Sequence, residues 1–392
     1  MSAEIEEHIV VIGAGIVGVS TCWSLLEEAE KRGRRVRVTL VDHAGVAQAA
    51  SGRAGGFLAS EWCRSRPAHQ LAKRGFQMHG QLAERFGAEV LEYRRLHTLT
   101  MASTRKGPRD GLSEWIDGSS VGSLSAIGSP ANTAQVHPAK LAAALFGCCT
   151  AAACFSFRQQ AAAGLQFSAD GSRVAAVRLT GSGEEQEEEL MSADAVVLCM
   201  GPWTGRSAAW FPSGAQWQGA QALASVGGSK AHSSVYRLDA SAHAALPPVA
   251  LFAEVDVYLR PSEVYCCDSE AASGPLPDDP RDVTLDKGRL AHLAAAARDI
   301  SSLLAGPPAF ESACYLPVST HDSEPIVGRV ASNVFMAAGH RFVFPTSFTV
   351  SFFFCSHRSF FVLFLFCTIV GMSLFKLEPS HRPLKSLTTF LG

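Results

Sequence analysis

The 392-residue sequence lacks a surplus of positive charge: 34 Lys and Arg stand against 36 Asp and Glu, for a formal net charge of -2. A phosphate backbone is gripped by a basic surface, so nucleic acid is excluded as a partner. No CxxC pair occurs among the 11 cysteines. The adjacent pairs Cys148-Cys149 and Cys266-Cys267 are poorly placed to bridge each other, so reduced, mostly buried thiols are expected. His43, His137 and His321 are scattered without ligand spacing, and no metal site is expected. Internal repeats and heptads are absent, which excludes a solenoid or a coiled coil. A signal peptide or basic transit sequence is missing too: Met1 to His8 is acidic and polar and runs straight into a strand-like segment, so a cytoplasmic location is expected.

What is present is a large apolar fraction, 47% of residues, enough for about two domains of ~150 to 200 residues. His8-Ile9-Val10-Val11-Ile12 is an apolar, β-branched run ending at glycine, the pattern of a parallel strand buried on both faces. From Ile16 to Lys31 the spacing turns helical. Val17, Leu25 and Leu26 can pack on a sheet, Glu27, Glu28, Glu30 and Lys31 face water, and Gly33 stops the helix. Arg35 to Val41 forms a second strand ending at Asp42, which completes a βαβ unit.

The first turn of that unit is Gly13-Ala14-Gly15-Ile16-Val17-Gly18. Gly13 suits the tight turn, Gly15 lets bare backbone approach a pyrophosphate, and Gly18 allows close packing of helix on sheet; the helix N-terminus offers amides and a positive dipole end. Asp42 is placed to accept from ribose hydroxyls. The unit implies an ADP moiety and leaves FAD, NAD and NADP open.

Further blocks come in order along the chain. Ala49 to Phe57, with Ser51-Gly52-Arg53-Ala54-Gly55-Gly56, reads as a small-residue loop too glycine-rich for a helix. Val136-His137-Pro138-Ala139-Lys140-Leu141 opens a helix, and Arg173 to Thr180 forms a hairpin with a partner. Ser192 to Leu198 is a buried strand running into Gly201-Pro202-Trp203. Then come Val257-Tyr258-Leu259-Arg260-Pro261, Cys314-Tyr315-Leu316-Pro317 through Asp322 to Gly328, and Phe335 to Gly339-His340. This succession resembles the D-amino-acid oxidase, glycine oxidase and sarcosine oxidase group of FAD-dependent enzymes. The resemblance implies FAD as cofactor. It implies cofactor contacts at Gly13, Ala14, Gly15, Ile16, Val17, Gly18, Asp42, His43, Ser51, Gly52, Arg53, Gly55, Gly201, Trp203, Gly339 and His340, the last two lying against the flavin ring.

The implied fold is an α/β flavoprotein of two domains, Rossmann-like and of the glutathione-reductase type. Residues 1–60, 135–215 and 310–340 would form the FAD-binding domain. Residues 61–134 and 216–309 would form a mainly antiparallel substrate domain. The implied activity is oxidation of an amine or amino-acid-like C–N bond by hydride transfer to the flavin. The polar stretches Gly118 to Ser129 and Ser262 to Pro280 read as loops, and Glu184 to Glu189 as a solvated charge run at a hairpin turn.

Two departures from the family pattern matter. Leu316 stands where amino-acid oxidases carry the arginine that grips a substrate carboxylate. Arg260, the catalytic candidate alongside His340, could supply that charge from the neighbouring strand or be structural. After His340 the pattern stops: Arg341 to Phe348 replaces a glycine-rich loop and closing helix, and 12 of the 23 phenylalanines fall in the tail. Residues 341–392 read as translated intron or a shifted frame. The rival is a membrane anchor through Phe360 to Phe375, but roughly 16 residues fall short of the ~20 a bilayer helix needs. Cys314 lies close to where sarcosine-oxidase relatives bond a cysteine to the flavin, with a buried unreacted thiol as the alternative. The competing functional readings are a flavin-binding or trafficking-related protein without turnover, and an inactive truncated product.

Overall fold

The computed structural model describes residues 7–103, 110–118, 121–180, 188–212, 219–268, 272–273, 275–321, 324–340, 350–357 and 360–367. The first strand, β1 (Glu7–Ile12), is buried along its length, and α1 (Ile16–Lys31) and β2 (Val36–Val41) complete a parallel βαβ unit. β1 and β2 run in register from Glu7 opposite Val36 to Ile12 opposite Val41. α1 ends where the periodicity placed its end, with Gly33 in the left-handed region at φ 63°. Its inner face, Val19, Cys22, Leu25 and Ala29, shares one core with the helices His69–Phe86 and Pro138–Thr150. Leu25 is fully buried there, so truncation to alanine would cost about 2–5 kcal/mol.

Six strands form the first sheet, in the order Ile326–Ala331, Val334–Ala338, Ala195–Leu198, β1, β2, Phe155–Arg158. All pair in parallel except the outermost, Ile326–Ala331, which is antiparallel to its neighbour. A three-stranded antiparallel sheet, built from Ala162–Phe167, Val174–Leu179 and Glu189–Ser192, covers its second face through an apolar cluster that includes Leu165, Val177, Val196 and Met336. The second large sheet has eight strands, antiparallel apart from the pair His97–Ser103 and Val249–Phe252. The helix Lys287–Ile300 packs Leu293 and Ala297 on its back, against Val257, Val264 and Cys266.

Several segments depart from the sequence reading. Ala50–Arg53, expected as loop, is one helical turn, and glycine makes it feasible: a Cβ on Gly52 would lie 2.1 Å from the Ala47 carbonyl oxygen. The expected loops 118–129 and 262–280 contain the strands Ser123–Gly128, Val264–Asp268 and Ala272–Ser273. Their order is supplied by partner strands rather than by an apolar period, as the exposed Ser125, Ala126 and Ile127 show. Phe310–Ser319, read with the flavin unit, is hydrogen bonded to Val226–Tyr236 of the second sheet from Ser319 opposite Val226 to Phe310 opposite Val235. His69–Phe86, read with the substrate unit, buries Leu71, Ala72 and Phe76 in the core under α1.

In the tail, Val350–His357 and Phe360–Cys367 form an antiparallel hairpin, not a helix, and lie beside α1 and the Ile326–Ala331 edge of the first sheet. The Arg341 to Phe348 break, the remainder of the Phe360 to Phe375 run, Asp322 and most of the Glu184 to Glu189 run lie outside the described residues. Among the described residues no helix is long and apolar enough to cross a membrane.

Candidate functional site

β1 has β2 on one side and Ala195–Leu198 on the other, so the chain leaves the sheet in opposite directions at its carboxyl edge, and a crevice opens there. Two hydrogen bonds pin its floor: Gly13 N–H donates to the Val41 carbonyl at 2.8 Å, and Cys199 N–H to the Ile12 carbonyl at 2.8 Å. Gly13 takes φ 105°, and a Cβ there would lie 2.4 Å from the Cys199 carbonyl oxygen. A Cβ on Gly18 would lie 1.8 Å from the Gly13 carbonyl oxygen, so both positions demand glycine for packing alone. Gly15 differs. Its φ of -68° is open to any residue, and its Cβ would come no closer than 3.1 Å, to Ser51 Oγ.

The ends of this loop are tied to the segment after β2. Ala14 N–H donates to Asp42 Oδ2 at 2.8 Å, while Asp42 Oδ1 accepts from Ala44 N–H at 2.8 Å and Gly45 N–H at 3.1 Å. Asp42, read as a ribose partner, therefore also orders the turn by which the chain leaves β2. Ile16 N–H, in the first turn of α1, donates to Ser51 Oγ at 2.9 Å.

A cavity of about 480 Å³ lies over these groups. Of the residues read from the sequence, Gly13, Gly15, Val17, Asp42, His43, Ser51, Gly201, Trp203 and His340 line it. Ala14, Ile16, Gly18, Gly52, Arg53, Gly55 and Gly339 do not line it and support those that do. Arg53 donates from Nη1 to the Ala313 carbonyl at 2.9 Å, and Gly55 is pressed on Tyr258, 2.1 Å from where its Cβ would stand. Gly339 takes φ 80° and so turns the chain from the last parallel strand to His340. Gln160, Met200, Arg206, Trp210, Asp279 and Pro317 also line the cavity and were missed. The turn-forming run Pro277-Asp278-Asp279-Pro280 was the one signal that could have marked Asp279 as part of an ordered turn.

His340 is 2% exposed, and among the described residues neither ring nitrogen has a hydrogen-bond partner. Burial pushes its pKa down to about 4, so the ring is neutral at physiological pH. Arg260 is not brought to the cavity. It is 4% exposed and lies over the Tyr265 ring, with Nη1 donating to Glu263 Oε1 at 2.6 Å and Nη2 to the Ala54 and Gly55 carbonyls at 2.6 and 3.0 Å. His137 and this guanidinium hold the Glu263 carboxyl down at about 2. Cys314 is buried, its thiol pushed up to about 11 by desolvation, and it does not line the cavity.

The cavity crosses the tips of five adjacent strands, from Gln160 after Phe155–Arg158 to His340 after Val334–Ala338. At ~4.8 Å between strands this is about 19 Å, room for an extended dinucleotide. The fit is chemical as well: bare glycine backbone and a helix N-terminus stand at the middle, an acid at one side, and a buried, unpartnered imidazole at the far end.

A fission yeast oxidoreductase (Schizosaccharomyces pombe) is 27% identical over 365 residues, covering 86% of this chain and 89% of that protein. Glycine oxidase from Geobacillus kaustophilus superposes with a TM-score of 0.66 at 18% identity, over 88% of this chain and 92% of the other. Iminodiacetate oxidase from Chelativorans sp. BNC1 gives 0.64 at 18%, over 87% and 92%. At such identities the structures establish the fold. The family model for FAD dependent oxidoreductases, DAO, matches residues 8–344. A matched span that includes every part of the cavity makes this chain a member of the DAO family of FAD-dependent oxidoreductases.

Proposed function

We propose that the protein oxidises the C–N bond of an amine or amino-acid-like substrate, with the flavin ring at the Gly339-His340 end of the cavity. The observation that carries this reading is the continuity of one cavity from the glycine loop to His340. The names of the structural neighbours, glycine oxidase and iminodiacetate oxidase, support the substrate class.

In this reading Gly15 would keep a side chain away from the diphosphate while the first turn of α1 would supply amides and a positive dipole end. Ser51 fixes the direction of the Ile16 amide. Asp42 has given three acceptor positions to backbone amides; a carboxylate has about four, which leaves one for a ribose hydroxyl. Bound FAD supplies a two-electron acceptor for the hydride on the carbon beside nitrogen. His340, neutral through burial, would meet the ring without adding charge, with Pro317 and Ala338 lining the same cavity. No side chain has to remove a proton when the amine binds uncharged.

Purified protein is expected to be yellow, and anaerobic addition of an amine or amino acid from a small panel to bleach it. A yellow protein that no member of the panel bleaches would support a second reading, a flavin-binding protein without turnover. Leu316 and the engaged guanidinium of Arg260 favour that alternative, since neither offers a free charge to a substrate carboxylate.

A further inference from the structure

The cavity has a floor on the first sheet, and part of its outer wall comes from the second domain. Asp278, Asp279 and Pro280, which line it, belong to the segment between the strand Ala272–Ser273 and the helix Lys287–Ile300. That segment is fastened at three successive carbonyls. Tyr315 Oη donates to Pro275 O at 2.9 Å, Arg206 Nη2 to Leu276 O at 2.6 Å, and Trp203 Nε1 to Pro277 O at 2.8 Å. Arg206 Nη1 also donates to Asp278 Oδ1 at 2.8 Å, and His43 Nε2 stands 3.4 Å from Asp279 Oδ2. Trp203 and Arg206 come from the helical turn Gly201–Trp210 that continues from the central strand, so the flavin unit itself holds the segment down.

The composition suits a strap. Pro275, Pro277 and Pro280 restrict the backbone before it docks, so less entropy is lost in holding it. The two aspartates do not turn net negative charge toward a diphosphate, because Asp278 is met by Arg206 and Asp279 by Arg281. Arg206 is the one Lys or Arg among the described residues that line the cavity.

We infer that the segment 275–280 is a latch over the nucleotide half of the FAD site, fastened by Trp203 and Arg206, and that FAD exchanges only when these two side chains release it. The inference rests on FAD occupancy alone, so it stands or falls separately from the substrate proposed above.

The test is the rate at which FAD leaves the holoprotein on dilution, read from the recovery of free-flavin fluorescence. Trp203→Phe keeps an aromatic ring and loses the donor to Pro277, and Asp278→Asn weakens the grip of Arg206. Loss of the hydrogen bond should make Trp203→Phe release FAD about threefold to tenfold faster, Asp278→Asn, whose carboxyl is fully exposed, by less, and the double variant more than either. Hydrogen exchange gives an independent reading: the amides of Leu276, Asp278 and Asp279 should exchange more slowly in holoprotein than in apoprotein. Release within twofold of wild type in the double variant, or equal exchange of those amides with and without FAD, would overturn the latch.

Discussion

Two buried imidazoles tie stability to pH. His79 and His340 are each pushed down to about 4 by burial, so between there and their ordinary value of 6.5 the unfolded chain binds protons that the folded chain does not. Stability therefore rises with pH across that window, is fully present above 6.5, and is lost as pH falls toward 4. Asp256 works the other way: burial raises its carboxyl to about 7, so its contribution declines as pH rises from 3.8 to 7. Replacing His79 with Gln should flatten the fall of Tm in acid, and Asp256→Asn should steepen the net rise from pH 4 to 6.5; identical Tm profiles in all three proteins would contradict the assignment. Arg260 makes a second residue-scale case. Removing it leaves the largely buried Glu263 with His137 as its one ionisable partner among the described residues, so Arg260→Ala should cost on the order of 3 kcal/mol in denaturant unfolding. A loss under about 1 kcal/mol would mean the pair behaves like an exposed one.

At the scale of elements, the glycine loop and the start of α1 separate folding from binding. Gly13 and Gly18 are required by contacts inside the protein, with Cβ positions 2.4 and 1.8 Å from carbonyl oxygens. Alanine at either should lower expression and Tm whether or not FAD is present. Gly15→Val should leave circular dichroism and apoprotein Tm close to wild type yet remove FAD from the purified protein, because the backbone there is unstrained and the side chain would enter the cavity. Retained flavin in that variant would argue against the diphosphate position. The βαβ unit was legible because its signals are local: a buried run, a glycine turn, a 3.6-residue period and a terminal acid. Ala50–Arg53 and Ser123–Gly128 were not, since one depends on the Ala47 carbonyl approaching where any side chain at Gly52 would stand and the other on a polar edge pairing with His97–Ser103.

Across the whole molecule, one cavity joins five strand tips of the first sheet to a segment of the second domain. Binding there should stabilise both together: at 100 times Kd a ligand adds about 2.7 kcal/mol. FAD-stripped protein is therefore expected to melt several degrees lower, in a transition that FAD restores and AMP restores only in part. A melting temperature indifferent to FAD would disconnect the cavity from the cofactor. The parallel βαβ frame and its ADP moiety were determined by the sequence itself, within about 35 contiguous residues of β1, α1 and β2, and the family and the flavin by the ordered local blocks that follow as far as His340. The inclusion of Arg206 and Asp279 in the site, the engagement of Arg260 by Glu263 and two carbonyls, and the passage of Phe310–Ser319 into the second sheet were decided only by tertiary structure. Each is a contact between residues far apart in the chain, and the type of a residue does not say which distant partner will satisfy its charge or its hydrogen bonds.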